Sequence, residues 1–162
     1  MAPVVLLGII AAVPLLLILI LRSNAAVVFF SLCAGSVLVT FVGSDASEAV
    51  GKSISGANTG SFVKIALLLL PALLSLWFLR KSISPSKLLI NIVAAVGASV
   101  SMVLLLVPLL PGGVLFNIEQ NQIWQQTNRY QGAILGATTA VAIVSLWLTN
   151  RHKDDSKHKK HH

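Results

Sequence analysis

The sequence predicts an all-α integral membrane bundle of five transmembrane helices, with a short amphipathic surface helix in the first outer loop. Three observations carry that reading. Across 162 residues, hydrophobic residues make up 56% and charged residues only 10%, and the mean hydropathy is +0.86. A soluble chain of this length has too much surface for its volume to hide so much apolar area. Five apolar runs approach the roughly 20 residues that cross a bilayer. The basic residues also alternate in density from one loop to the next. This balance excludes a soluble globular enzyme and a disordered chain.

The runs cover about 4–21, 25–42, 62–79, 88–110 and 132–149 within a transmembrane domain of residues 1–150, followed by a basic, disordered cytoplasmic tail at 151–162. Hydrocarbon offers no water to bond backbone groups, so each run must satisfy its own and is read as a helix. The first run has no basic residue before it and ends in Arg22 without a small-residue cleavage site. It reads as a retained helix and not as a signal peptide. The second and third runs are separated by residues 43–61, small and polar. Asp45 and Glu48 fit a helix N-cap and its partner three residues on. Ala46, Ala49, Val50 and Ile54 follow on one face, the pattern of a surface helix. The fourth run stops at Pro111-Gly112-Gly113. A second outer loop, rich in Asn and Gln, then leads through Trp124 to Tyr130 and the fifth run. It reads as a solvated loop held down by Trp124 and Phe116, or as a recognition surface for a polar partner.

With the N-terminus outside, Arg22, Arg80, Lys81, Lys87, Arg151, Lys153, Lys157, Lys159 and Lys160 fall on the cytoplasmic side. Lys52, Lys64 and Arg129 fall opposite. That asymmetry is the positive-inside pattern, with the C-terminus in the cytoplasm. Trp77, Trp147, Trp124 and Tyr130 lie at run ends, where aromatic rings anchor in the interfaces. The plasma membrane of a bacterium is the expected location. The terminal Lys159-Lys160-His161-His162 also resembles a dilysine signal, which makes an endoplasmic reticulum membrane the alternative. The excess of basic charge, +7, is explained by loops and tail, so nucleic acid is not an expected partner. The lipid bilayer is.

Chemistry is sparse. The runs hold no Asp, Glu, His or Arg, and Lys64 lies one turn inside its run, long enough to snorkel. No set of acids, metal ligands, or nucleophile with base is present. No enzyme activity, metal or cofactor is therefore expected. Cys33 stands alone in a run and reads as a small hydrophobe. The helices instead carry small residues at packing spacing: Gly132, Gly136 and Ala140 in the fifth, Ala94, Gly97 and Ala98 in the fourth, Ser31 and Gly35 in the second. Such residues let backbones approach where lipid supplies no hydrophobic drive. They serve either packing within one bundle or association with a second copy or another membrane protein. Asn91 is expected to make one interhelical hydrogen bond worth roughly 1 kcal/mol.

The order of parts through Leu110 resembles the colicin V production protein family, small bacterial inner-membrane proteins. Arg22-Ser23-Asn24 stands where that family has Arg-Gly, and Lys87 with Gly97 echoes its basic, Gly-rich inner turn. The resemblance implies an outside N-terminus, two helices, an outer surface helix and two more helices. The expected function is a non-enzymatic scaffold or accessory subunit. The alternative is a small transport or pore-forming protein, its pathway lined by Ser31, Ser36, Thr40, Ser99, Ser101, Thr138 and Thr139.

Overall fold

A computed structural model describes residues 2–53, 58–79 and 88–158. The described residues are helical throughout, without a strand. Helix α1 spans Ala2–Leu21, α2 Ala25–Ser53, α3 Thr59–Phe78 and α4 Leu88–Leu106, followed by a 3₁₀ turn at Val107–Leu109. Two short helices, α5 (Gly112–Glu119) and α6 (Gln122–Arg129), lead to α7 (Gln131–His158). Among the described residues four helices are long and apolar enough to cross a membrane: Ala25–Lys52, Thr59–Phe78, Asn91–Leu109 and Gln131–Leu148. The apolar stretch of α1 is shorter, Val5–Leu21.

α1 ends because Arg22 adopts a left-handed φ of 48°. Its N–H returns to the Leu19 carbonyl at 3.3 Å, and that of Ser23 to Ile18 at 3.2 Å. This pair of bonds is a Schellman motif, with arginine where glycine is usual. Asn24 then starts α2: its side-chain Oδ1 accepts from the Ala26 N–H at 3.1 Å. Its carbonyl accepts from Val27 and Val28. Chain reversal thus takes three residues.

Three elements differ from expectation, each for a local reason. The surface helix is not a separate element, because α2 continues for 29 residues, about 43 Å at the helical rise and longer than a hydrocarbon core of about 30 Å. Asp45 therefore sits inside a helix and caps nothing. No proline interrupts the segment, Ser47 bonds back to Gly43, and Lys52 pairs with Glu48 at 2.9 Å one turn away. Ile54 lies outside the described residues. The amide-rich loop is α5 and α6. Asn121 Oδ1 caps α6 by accepting from Ile123 at 2.9 Å, and Gln125 donates to the Glu119 carbonyl at 3.0 Å. Two of the amides thus serve helix ends, and Asn117 bonds back to Gly113 within α5. Finally, residues 151–158 are not an irregular tail but extend α7, since neither glycine nor proline follows Gly136. Lys159 to His162 are outside the described residues.

α2 and α3 form a close antiparallel pair. α4 is central, packed on α1, α2 and α7, and α7 seats against α4 and α2. α1 and α3 meet only slightly. One core gathers Ile18, Phe29, Leu32, Leu76, Ala94, Ala98 and Ala142 near the α1–α2 turn. A second gathers Val103, Leu104, Val107, Ile118 and Trp124 under α5 and α6.

Candidate functional site

The small residues divide into two groups. The first group is buried between helices. A Cβ placed on Gly35 would overlap the Leu68 carbonyl oxygen and come within 3.0 Å of its carbon. α2 and α3 are therefore in backbone contact at that level. Along the same seam the Ser31 and Ser75 hydroxyls bond to each other. The Lys64 stem lies over Gly43, its Cγ 3.4 Å from where a Cβ would stand. Ser47 reaches the Gly60 carbonyl at 3.3 Å. On the other side of the bundle, a Cβ on Gly97 would meet Thr138 Cγ2 at 2.8 Å, with Ala94 and Ala98 buried beside it. Gly97 is what lets α7 approach α4.

The second group is bare. Gly132, Gly136 and Ala140 are exposed on α7, and a Cβ on either glycine would meet nothing within 4 Å. α7 seats through its opposite side, where Thr138, Ala142 and Ser145 are buried. The exposed face continues through Ile143 and Val144, both more than half exposed. Glycine inside a helix costs up to about 1 kcal/mol relative to alanine. Among the described residues no close approach requires it at Gly132 or Gly136.

The aromatic residues also separate. Trp77 is 69% exposed, Trp147 57% and Tyr130 59%, each near a bundle end. Trp124 is 5% exposed; it plugs the second core and anchors α6 to α4, so it is a packing residue. Phe116, expected to hold that region down, is instead exposed.

Most hydroxyls of the pore reading are bonded within their own helices. Ser31, Ser36, Thr40, Ser99, Thr138 and Thr139 each donate to a carbonyl three or four residues back in their own helix. This is the usual way a membrane helix absorbs a hydroxyl. Ser101 Oγ is buried without a hydrogen-bond partner. Among the described residues no group of three or more His, Cys, Asp or Glu could hold a metal ion.

The strongest polar constellation is one that sequence reading caught only in part. Asn91 of α4 accepts from the Ala25 N–H at 2.9 Å and donates to the Ser23 carbonyl at 3.1 Å. Ser23, Asn24 and Asn91 are buried together. One amide therefore clamps the α1–α2 turn to α4 with two bonds, where a single bond was expected. The usable signal was Asn24 before Ala25-Ala26, an N-cap in sequence; nothing in the sequence pairs it with a residue 67 positions away.

Beside this turn, a groove of about 430 Å³ runs between α1 and α3, lined by Leu17, Leu21, Leu73, Leu76 and Trp77. A second groove of about 290 Å³ separates α1, α4 and α6. No family model, curated protein or solved structure matches the chain.

Proposed function

We propose that the chain is a multi-pass scaffold or accessory subunit of a bacterial inner membrane, without enzymatic activity, acting through lateral association of α7. Five helices cross, α1 being the fifth, with the N-terminus outside and the C-terminus in the cytoplasm. The loop charges support that orientation. The observation that carries the functional reading is the bare Gly132–Gly136–Ala140 face. Its spacing suits close helix contact, and among the described residues nothing lies within 4 Å of a Cβ on Gly132 or Gly136. The partner is a second copy or another membrane protein.

Cysteine crosslinking in membranes and chromatography in mild detergent test this. A substitution at Gly136 that blocks the face, Gly136→Leu, is expected to abolish a complex that the native chain forms. A native chain that is strictly monomeric and retains no partner contradicts the proposal. Liposomes holding the protein are expected to pass solutes no faster than empty vesicles, because the hydroxyls a pathway would need are bonded within their own helices.

A further inference from the structure

We propose that the groove between α1 and α3 is a binding site for one anionic phospholipid, its acyl chain along Leu17, Leu73 and Trp77 and its phosphate at Arg22. This rests on the transmembrane reading. Four observations carry it. The groove is apolar and open at the side, on a surface that the transmembrane reading puts against lipid. α1 and α3 hardly touch, so the helices leave room between them instead of closing it. Leu21, which lines the groove, is followed directly by Arg22, and Arg22 is exposed at the same end of the bundle. Arg22 makes no ion pair among the described residues; the pair found there is Lys52–Glu48, near the far end of α2. A cation one residue beyond the lining of an apolar groove matches a lipid that is anionic at its head and apolar below.

The backbone of Arg22 adds an independent reason. At a φ of 48° the position favours glycine, and a side chain there is strained. The helix end would be better served by glycine. A non-glycine residue held in such a conformation points to a use for its side chain. A guanidinium matches a phosphate with a forked pair of donors.

The test uses the full chain purified in mild detergent and titrated with dioleoylphosphatidylglycerol or dioleoylphosphatidylcholine, with bound lipids counted by native mass spectrometry. The native chain is expected to retain one phosphatidylglycerol, with a preference of about fivefold over phosphatidylcholine, the order contributed by one basic residue at a membrane surface. Arg22→Gly is expected to lose that preference while unfolding no earlier than the native chain, because its backbone is relaxed. Arg22→Lys is expected to keep most of the preference. Leu17→Trp, at a partly exposed wall position, is expected to weaken both lipids alike by filling the groove. Equal binding of the two lipids to the native chain overturns the proposal, and so does an unchanged preference in Arg22→Gly. Extraction of the protein from membranes by alkaline carbonate is a different failure: it removes the transmembrane reading itself.

Discussion

Replacing Gly35 with alanine tests the closest contact in the molecule. The added Cβ would stand 3.0 Å from the Leu68 carbonyl carbon and 3.1 Å from its Cα. Carbon atoms rest at about 3.5–4.0 Å. The obstacle is backbone inside a helix, so no rotamer change relieves it and α2 must part from α3 by roughly 0.5–1 Å. Overpacking of this kind costs about 1–3 kcal/mol. Parting the helices also weakens the Ser31–Ser75 bond, worth about 0.6 kcal/mol in a membrane protein. Alanine returns up to about 1 kcal/mol of helix preference. The net is a loss of about 1–2 kcal/mol, a factor of roughly 5–30 in the folded fraction. Reversible unfolding by dodecyl sulfate in mixed micelles, followed by circular dichroism, reads it directly. Gly51→Ala is the internal control: it gains helix preference in the same helix, α2, and among the described residues nothing lies within 4 Å to be displaced. If Gly35→Ala unfolds at the same detergent fraction as the native chain or later, the backbone contact is not what holds α2 to α3.

Gly97→Ala meets the side chain of Thr138 rather than backbone, and Thr138 can move by giving up its bond to Ile134. It is expected to cost about 1 kcal/mol in the same titration, near the lower end of the overpacking range. Asn91→Leu leaves the Ala25 N–H and the Ser23 carbonyl unpaired in a buried place. A loss of about 2–3 kcal/mol is expected, and Asn91→Asp is expected to be no milder, because its second carboxylate oxygen faces the Ser23 carbonyl in a buried place. Ser101→Ala removes a buried hydroxyl that has no partner, so its unfolding midpoint is expected to hold or rise by up to about 1 kcal/mol.

The helical runs were legible because lipid imposes one rule on every residue within them: apolar side chains and self-contained backbone bonds. The fourth run shows it well, since α4 and its 3₁₀ turn end where Pro108 and Pro111 stand. Outside those runs the rule lapses, and the misreadings collect there. Asp45 and Glu48 looked like the start of a new helix, yet Glu48 supports the old one through Lys52. The amides from Asn117 to Asn128 looked like a solvated loop, whereas Asn121 and Gln125 close helix ends while Ile118 and Trp124 supply two buried anchors. Small residues were recognisable as packing surfaces. Which ones pack inside the chain was not, because Gly97 and Gly136 differ only in what stands opposite them. The groove between α1 and α3 left no mark in the sequence, since it arises from two helices that meet only slightly.

Whether α1 crosses the membrane is decided most directly by labelling single cysteines in intact cells with a membrane-impermeant maleimide, on a Cys33→Ser background. Cysteine at Ala2 is expected to react from outside and cysteine at Arg22 only after the cells are opened. Reaction of both positions from the same side would mean that the helix lies along one face, leaving four crossings and putting the N-terminus on the same side as the basic end of α7.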